Sequence, residues 1–180
     1  MRIKSLEKIV RKYKLRKTMV MLKKPVNRNE HLKKLSRDHH FSLLFCWKIR
    51  QGVKTNVAME RILKYVQYFL QQHLQPHFRE EENILFAPIK DNQVQRAINE
   101  HKCIKLLIEG LADSENNEQK NLVKIADMVD EHVRYEEREL FPHLERKLSK
   151  EQLESIGNLI QKNHSSSLQG HYEDQFWNIK

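Results

Sequence analysis

The chain has 180 residues, 39% hydrophobic and 32% charged, with four Gly and four Pro; that describes one globular domain and excludes a collagen-like chain, a disulfide scaffold and a polytopic membrane protein. The formal net charge of +9 hints at a polyanionic partner until it is located along the chain. Residues 1–34 hold 13 of the 33 Lys and Arg against two acids, Glu7 and Glu30, which leaves 20 basic and 22 acidic residues for 35–180, a nearly neutral body. Residues 3–22 predict a basic helix with a thin apolar face, and Met19 to Leu22 is too short an apolar run for a signal peptide. The leader has one aromatic, Tyr13, so a solvated tail is expected rather than a nucleic-acid arm. From Asn29 to Gln51 the residues Leu32, Leu35, Leu43, Cys46, Trp47 and Val53 predict one helical face, ended by Gly52. Thr55 or Asn56 is expected to cap a second helix that runs to Phe86, kinked at Pro76 and stopped by Pro88. Its seam reads Leu63, Val66, Leu70, Leu74, His77, Glu81 and Ile84. A third helix is expected over Asn92–Leu111, with Val94, Ala97, His101, Ile104 and Ile108 inward. A loop follows at Asp113–Asn117, then a fourth helix from Glu118 to Phe141 stopped by Pro142. Its seam is Leu122, Ile125, Val129, His132, Glu136 and Leu140. Ser149 and Gln152 predict a capping box for a short fifth helix to Asn163, and Phe176 and Trp177 should dock the tail.

This order predicts an all-α protein, an antiparallel up-down four-helix bundle with additions at both ends. The divisions are a basic N-terminal extension (1–28), the bundle (29–164) and a C-terminal tail packed on it (165–180). No run of about 18 apolar residues is present, so no membrane span is expected. Two cysteines, Cys46 and Cys103, do not make a disulfide framework and suggest a reducing, cytoplasmic setting.

The informative residues interrupt the apolar seams. His77 and Glu81, His101, and His132 and Glu136 occupy core positions, and a step of about 100° per residue puts His39 at the centre of the first helix's face with His40 on its flank. Burying an unpaired carboxylate costs several kcal/mol or more. No Lys or Arg occupies the seams at that level, so a cation from outside the chain is required. Two ions balance the charge better than one. Spacing of i, i+4 puts each His and Glu on one face, one turn apart, so the Glu can bridge while the His binds terminally.

The sequence also repeats itself. His77–Phe86 and His132–Phe141 share the form HxxxEExxLF, with a proline one or two residues later. Asp38-His39 and Glu100-His101 match each other as an acid followed by His. These motifs resemble the hemerythrin-like, HHE cation-binding family over residues 31–148. The resemblance implies a four-helix bundle around a non-haem di-iron centre with His39, His77, Glu81, His101, His132 and Glu136 as ligands and the two glutamates as bridges. Ligation by imidazole and carboxylate without thiolate suits iron, with manganese or a mixed pair as alternatives. Oxygen-carrying relatives have a second His one turn from the third-helix ligand; here those positions are Ala97 and Lys105. That departure leaves room for water, His40 or His73. It points to a reactive site that binds or senses O2 or NO, in a monomer or dimer. The alternative is an iron-handling, iron–sulfur repair or peroxide-reacting module.

Overall fold

The computed structural model describes residues 28–112, 119–163 and 172–178. The expected leader helix, the 113–117 loop and most of the tail lie outside these residues. Among the described residues the fold is all-helical, with five helices. A 3-10 turn at Glu30–Leu32, capped by the Asn29 side chain, leads into α1 (Lys33–Lys54). The second helix, α2, is a continuous rod of α-helical Met59–Phe69, a π-turn at Leu70–Leu74, α-helical Gln75–Glu80 and a π-turn at Glu81–Leu85. Then come α3 (Asn92–Ala112) and α4, which joins Gln119–Tyr135, a π-turn at Glu136–Leu140 and Phe141–Lys147. Last is α5 (Lys150–Asn163). None of these is long and apolar enough to cross a membrane.

Several boundaries differ from expectation, each for a local reason. Gly52 does not end α1. Asn56 does, at φ 53°, with its N–H on the Val53 carbonyl and the Val57 N–H on the Gly52 carbonyl. That pair of bonds is a Schellman cap, so Thr55 and Asn56 close α1 rather than open α2. Pro142 does not stop α4. The π-turn before it widens the rod, as another does before Pro76, and the helix resumes through the ring. The Ser149–Gln152 box forms as expected, with Gln152 N–H on Ser149 Oγ at 3.2 Å and Ser149 N–H on Gln152 Oε1 at 2.9 Å.

Gly52 has a different task. A Cβ there would lie 2.7 Å from the Phe176 ring and 2.9 Å from Ile62 Cδ1. Phe176 is buried in the core beside Tyr65, and Arg61 donates to Asp174 at 2.9 Å to hold the same segment. We expect Gly52→Ala to cost about 1–3 kcal/mol in denaturant unfolding, because Phe176 and Ile62, both packed in the core, must shift to admit the methyl. Gly110 is the control: nothing lies within 4 Å of its added Cβ, and alanine there should stabilise by about 0.5–1 kcal/mol.

Two apolar clusters flank a polar layer. The first gathers Phe45, Phe69, Phe78, Ile104, Ile108, Leu122 and Val129; the second gathers Leu35, Leu85, Ala97, Leu140, Phe141 and residues of α5. Helix α1 runs from the second cluster to the first, α2 returns, α3 goes again and α4 returns, so successive helices alternate in direction. Contacts link α1 with α2, α2 with α3, α3 with α4 and α4 with α1. Each of the four therefore crosses the polar layer once.

Candidate metal centre

The polar layer holds all six inward residues of the sequence reading. His39 comes from α1, His77 and Glu81 from α2, His101 from α3, and His132 and Glu136 from α4; all are buried. The i, i+4 pairs meet as the spacing requires. His77 Nε2 lies 3.2 Å from Glu81 Oε1, and His132 Nε2 lies 3.3 Å from Glu136 Oε2. Each glutamate also reaches the other helices. Glu81 stands 3.5 Å from His39 Nε2 through Oε1 and 3.4 Å from His101 Nε2 through Oε2. Glu136 stands 3.0 Å from His39 Nε2 through Oε2 and 3.6 Å from His101 Nε2 through Oε1. Two sets of four result, His39/His77/Glu81/Glu136 and Glu81/His101/His132/Glu136, each with donor atoms within 4.8 Å of one another. Both glutamates belong to both sets.

A second ring of carboxylates surrounds the first. Every inner histidine points Nε2 inward; three of them give Nδ1 to an acid on the preceding helix of the cycle, and the Nδ1 of the fourth, His77, lies near one. Asp38 of α1 lies 3.3 Å from His77 of α2. Glu82 of α2 lies 2.7 Å from His101 of α3, and Glu100 of α3 lies 2.9 Å from His132 of α4. Glu137 of α4 closes the cycle on His39 of α1 at 2.6 Å. Such partners fix the tautomer and orient the free nitrogen. The outer acids are in turn met by cations: Arg28 at Glu137, Arg96 at Glu100 and Lys105 at Glu82.

The repeated box now has a meaning at most of its positions. Its His and first Glu face the centre. Its second Glu, Glu82 or Glu137, holds the histidine of the next helix. Its terminal Phe packs on that same ring: Phe86 is 6.2 Å from His101 and Phe141 is 5.2 Å from His39, centroid to centroid. Backbone geometry repeats too. Each ligand-facing glutamate opens a π-turn, with Phe86 N–H on the Glu81 carbonyl and Phe141 N–H on the Glu136 carbonyl. Phe78 adds a ring stacked 3.9 Å from His101.

Electrostatics test whether these residues fit a metal. His39 Nε2, His77 Nε2 and both carboxylate oxygens of Glu81 and of Glu136 are buried without a hydrogen-bond partner. Such groups are rarely left unsatisfied, and here they all aim at one layer. Burial alone would push the imidazoles down. Instead Glu136, Glu137 and Glu81 hold His39 well above its ordinary value, and the carboxylates around His77 and His101 raise these to about 9 and about 10. His132 is raised too, against its burial, by Glu136 and Glu100. Glu81 and Glu136 fall below the usual carboxylate range, despite burial, because the imidazoles face them. In the metal-free protein, protons on the histidines thus supply the positive charge that the carboxylates demand. The residues fit metal cations in place of those protons.

Other residues singled out in the sequence lie elsewhere. His40 is exposed and leans on Phe41, away from the six. His73 is buried, but it packs between Tyr68 and Phe69 and belongs to neither set of four. Trp47 is 45% exposed and Leu43 only half-buried, so neither belongs to the buried face of α1 as the periodicity predicts; Leu70, Ile104 and Val129, from the other seams, are buried. Cys46 and Cys103 are free, and burial pushes the Cys46 thiol up to about 12. Sequence reasoning can offer Asp38, Glu82, Glu100 and Glu137 as orienting carboxylates, with surface charge as the alternative, but not the histidine that each serves: the acids lie beside the inner residues in sequence, and each meets a histidine on another helix.

No curated protein and no solved structure matches the chain. A family model does: that of the hemerythrin HHE cation-binding domain, over residues 32–144. Those residues carry α1 to α3 and α4 up to its last turn, every inner histidine and glutamate and every outer acid. More than half of the chain is matched, and the protein belongs to the hemerythrin HHE cation-binding family.

Proposed function

We propose that α1 to α4 form a four-helix bundle around a non-haem di-iron centre that binds or senses O2 or NO at an open iron position. His39 and His77 serve one ion, His101 and His132 the other, and Glu81 and Glu136 bridge the two. The observation that carries this reading is the sharing of both glutamates between two sets of four. Imidazole and carboxylate donors without thiolate favour iron, with manganese or a mixed pair as other occupants. When bound, such a pair exchanges electrons with a diatomic ligand. The chain's part is to present the histidine Nε2 atoms inward, hold the Nδ1 atoms of His39, His101 and His132 on Glu137, Glu82 and Glu100 with Asp38 beside His77, and exclude water with Phe78, Phe86 and Phe141. Two nitrogens and two bridging carboxylates per ion leave coordination positions for a small ligand. The free cysteines suit a reducing, cytoplasmic setting.

Anaerobic loading with Fe(II) should give two irons per chain, and visible bands should appear on exposure to air or NO. A colourless protein that retains no iron overturns the proposal. His77→Ala removes one of two nitrogen donors from its ion, so bound iron should fall sharply. Full stoichiometry in that variant would overturn the ligand assignment. Peroxide reduction faster than by free iron would move the reading toward the iron-handling alternative.

A further inference from the structure

The two shared glutamates enter the polar layer from one side. Helices α2 and α4 both run from the first apolar cluster to the second, and each places its glutamate one turn after its histidine. Glu81 and Glu136 therefore join the layer from the second cluster's side, and its other side faces the first cluster. One turn from the inner histidines on that side stand Ser42 of α1, His73 and Leu74 of α2, Ile104 of α3 and Val129 of α4, all buried. Leu74, Ile104 and Val129 are apolar. Ser42 Oγ donates to the Asp38 carbonyl at 3.2 Å. His73 Nδ1 is buried with no hydrogen-bond partner.

Further observations single out this imidazole. It is only 6% exposed, and a buried ring nitrogen is rarely left unsatisfied. The ring is clamped, stacked 4.6 Å from Phe69 and edge-on to Tyr68 at 5.9 Å. Its backbone belongs to the π-turn at Leu70–Leu74. The described residues contain three π-turns, and the other two open at Glu81 and Glu136. Such turns are frequent at functional sites. Burial lowers the pKa of His73 against the pull of Asp38, and Lys48 adds to the lowering. The neutral ring keeps one N–H to donate.

We infer that His73 is a specificity-determining residue of the centre: the hydrogen-bond donor for the acceptor atom of the small ligand, on the first cluster's side of the polar layer. The inference rests on the metal reading above. With Leu74, Ile104 and Val129 on the other helical faces, the imidazole is the polar contact offered on that side. A donor there favours ligands that carry negative charge, because hydrogen bonds to a charged acceptor are the stronger ones. His73 selects the ligand without holding metal, since it belongs to neither set of four.

The test uses azide, a small linear anion, on the full-length protein loaded with iron and oxidised to Fe(III). Elemental analysis reads the iron content, absorption titration the azide affinity, and infrared spectroscopy the azide stretch in light water and after equilibration in heavy water. His73→Leu should keep the wild-type iron content and bind azide more weakly by about tenfold or more, since a hydrogen bond to a charged ligand is lost. The azide stretch should shift in heavy water in the wild type and not in His73→Leu. His73→Phe, which keeps a ring against Phe69 but has no donor, is the second variant and should behave alike. His73→Gln, which keeps an N–H donor, should recover part of the affinity and of the isotope shift. Circular dichroism of each metal-free variant checks that it is folded. An isotope shift that is missing in the wild type, or that survives in His73→Leu and His73→Phe, overturns the inference whatever the affinity and leaves the metal reading intact. Equal azide affinity in all these proteins, or no azide binding by the iron-loaded wild type, does the same. Loss of iron from a folded His73→Phe makes His73 a metal ligand and overturns the inference too. A wild type that retains no iron overturns both readings.

Discussion

Glu136→Ala is expected to empty both metal positions at once and to destabilise the metal-free protein by about 3–5 kcal/mol near pH 6. The first effect follows from sharing. Glu136 belongs to both sets of four, so its loss removes an oxygen donor from each set and one of the two residues they share. The second follows from charge. Glu136 lies within 3.6 Å of His39, His101 and His132, which it helps to keep protonated, and its own surface is fully buried. Removing it leaves buried imidazolium without its counter-charge. Glu139, in the same π-turn but 60% exposed, is the control; its alanine variant should stay within about 0.5 kcal/mol of the wild type and keep its metal. Elemental analysis and urea unfolding in the presence of a chelator read both effects. Retention of one tightly held ion by Glu136→Ala would contradict the shared-bridge reading.

The metal-free and metal-loaded proteins are expected to respond to pH with opposite signs. His77 and His101 are raised to about 9 and about 10 in the fold, against about 6.5 for an unfolded histidine. Their stabilisation of the metal-free protein is therefore full below about pH 6.5 and is lost as the pH rises through 9 and 10. Glu137 is depressed to about 2 by His39, Ser36 and Arg28, against its burial. Its contribution is present above the ordinary carboxylate range of about 4.3 and is lost as the pH falls toward 2. Metal-free stability should therefore be greatest between about pH 5 and 6.5. A metal ion needs the neutral imidazoles, so it competes with the same protons. Its affinity should climb with pH across the interval in which the metal-free protein weakens. Thermal unfolding at pH 6 and pH 9, with and without metal, measures the crossing. Loading at pH 7 should also release protons, counted by titration in weakly buffered solution. A metal-free protein that gains stability from pH 6 to 9, or loading without proton release, would refute this account.

Four of the inner six were legible because two copies of one box corroborate each other; His39 and His101 followed from helix phase and the matching acid-His pairs. An acid and an imidazole at i, i+4 in an apolar seam are costly to bury unless a cation joins them. Helix phase was less legible where the sequence offers too many apolar residues. Leu43, Leu44, Phe45, Cys46 and Trp47 are consecutive and cover every direction around α1, so periodicity points Leu43 and Trp47 inward when Phe45 and Ile49 are the buried ones. At the end of α2 the error has a different cause. Ile84 and Leu85 lie three and four residues after Glu81, on either side of one helical face; the seam reading takes Ile84, and along the π-turn at Glu81–Leu85 it is Leu85 that is buried. Nothing in side-chain periodicity announces a π-turn. The outer carboxylates show the same limit. Asp38 stands next to His39 in the chain and pairs with His77, a relation that only the packing of α1 on α2 creates.

The shared glutamates also set an order in time. Neither set of four is complete without Glu136, and Glu137 closes the outer cycle on a histidine 98 residues earlier. A chain emerging from the ribosome therefore has no competent half-centre to offer while its first three helices are out. Stray cations meet only isolated imidazoles and carboxylates until α4 arrives. Assembly of the centre then coincides with closure of the fold, which makes metal capture a privilege of the finished chain.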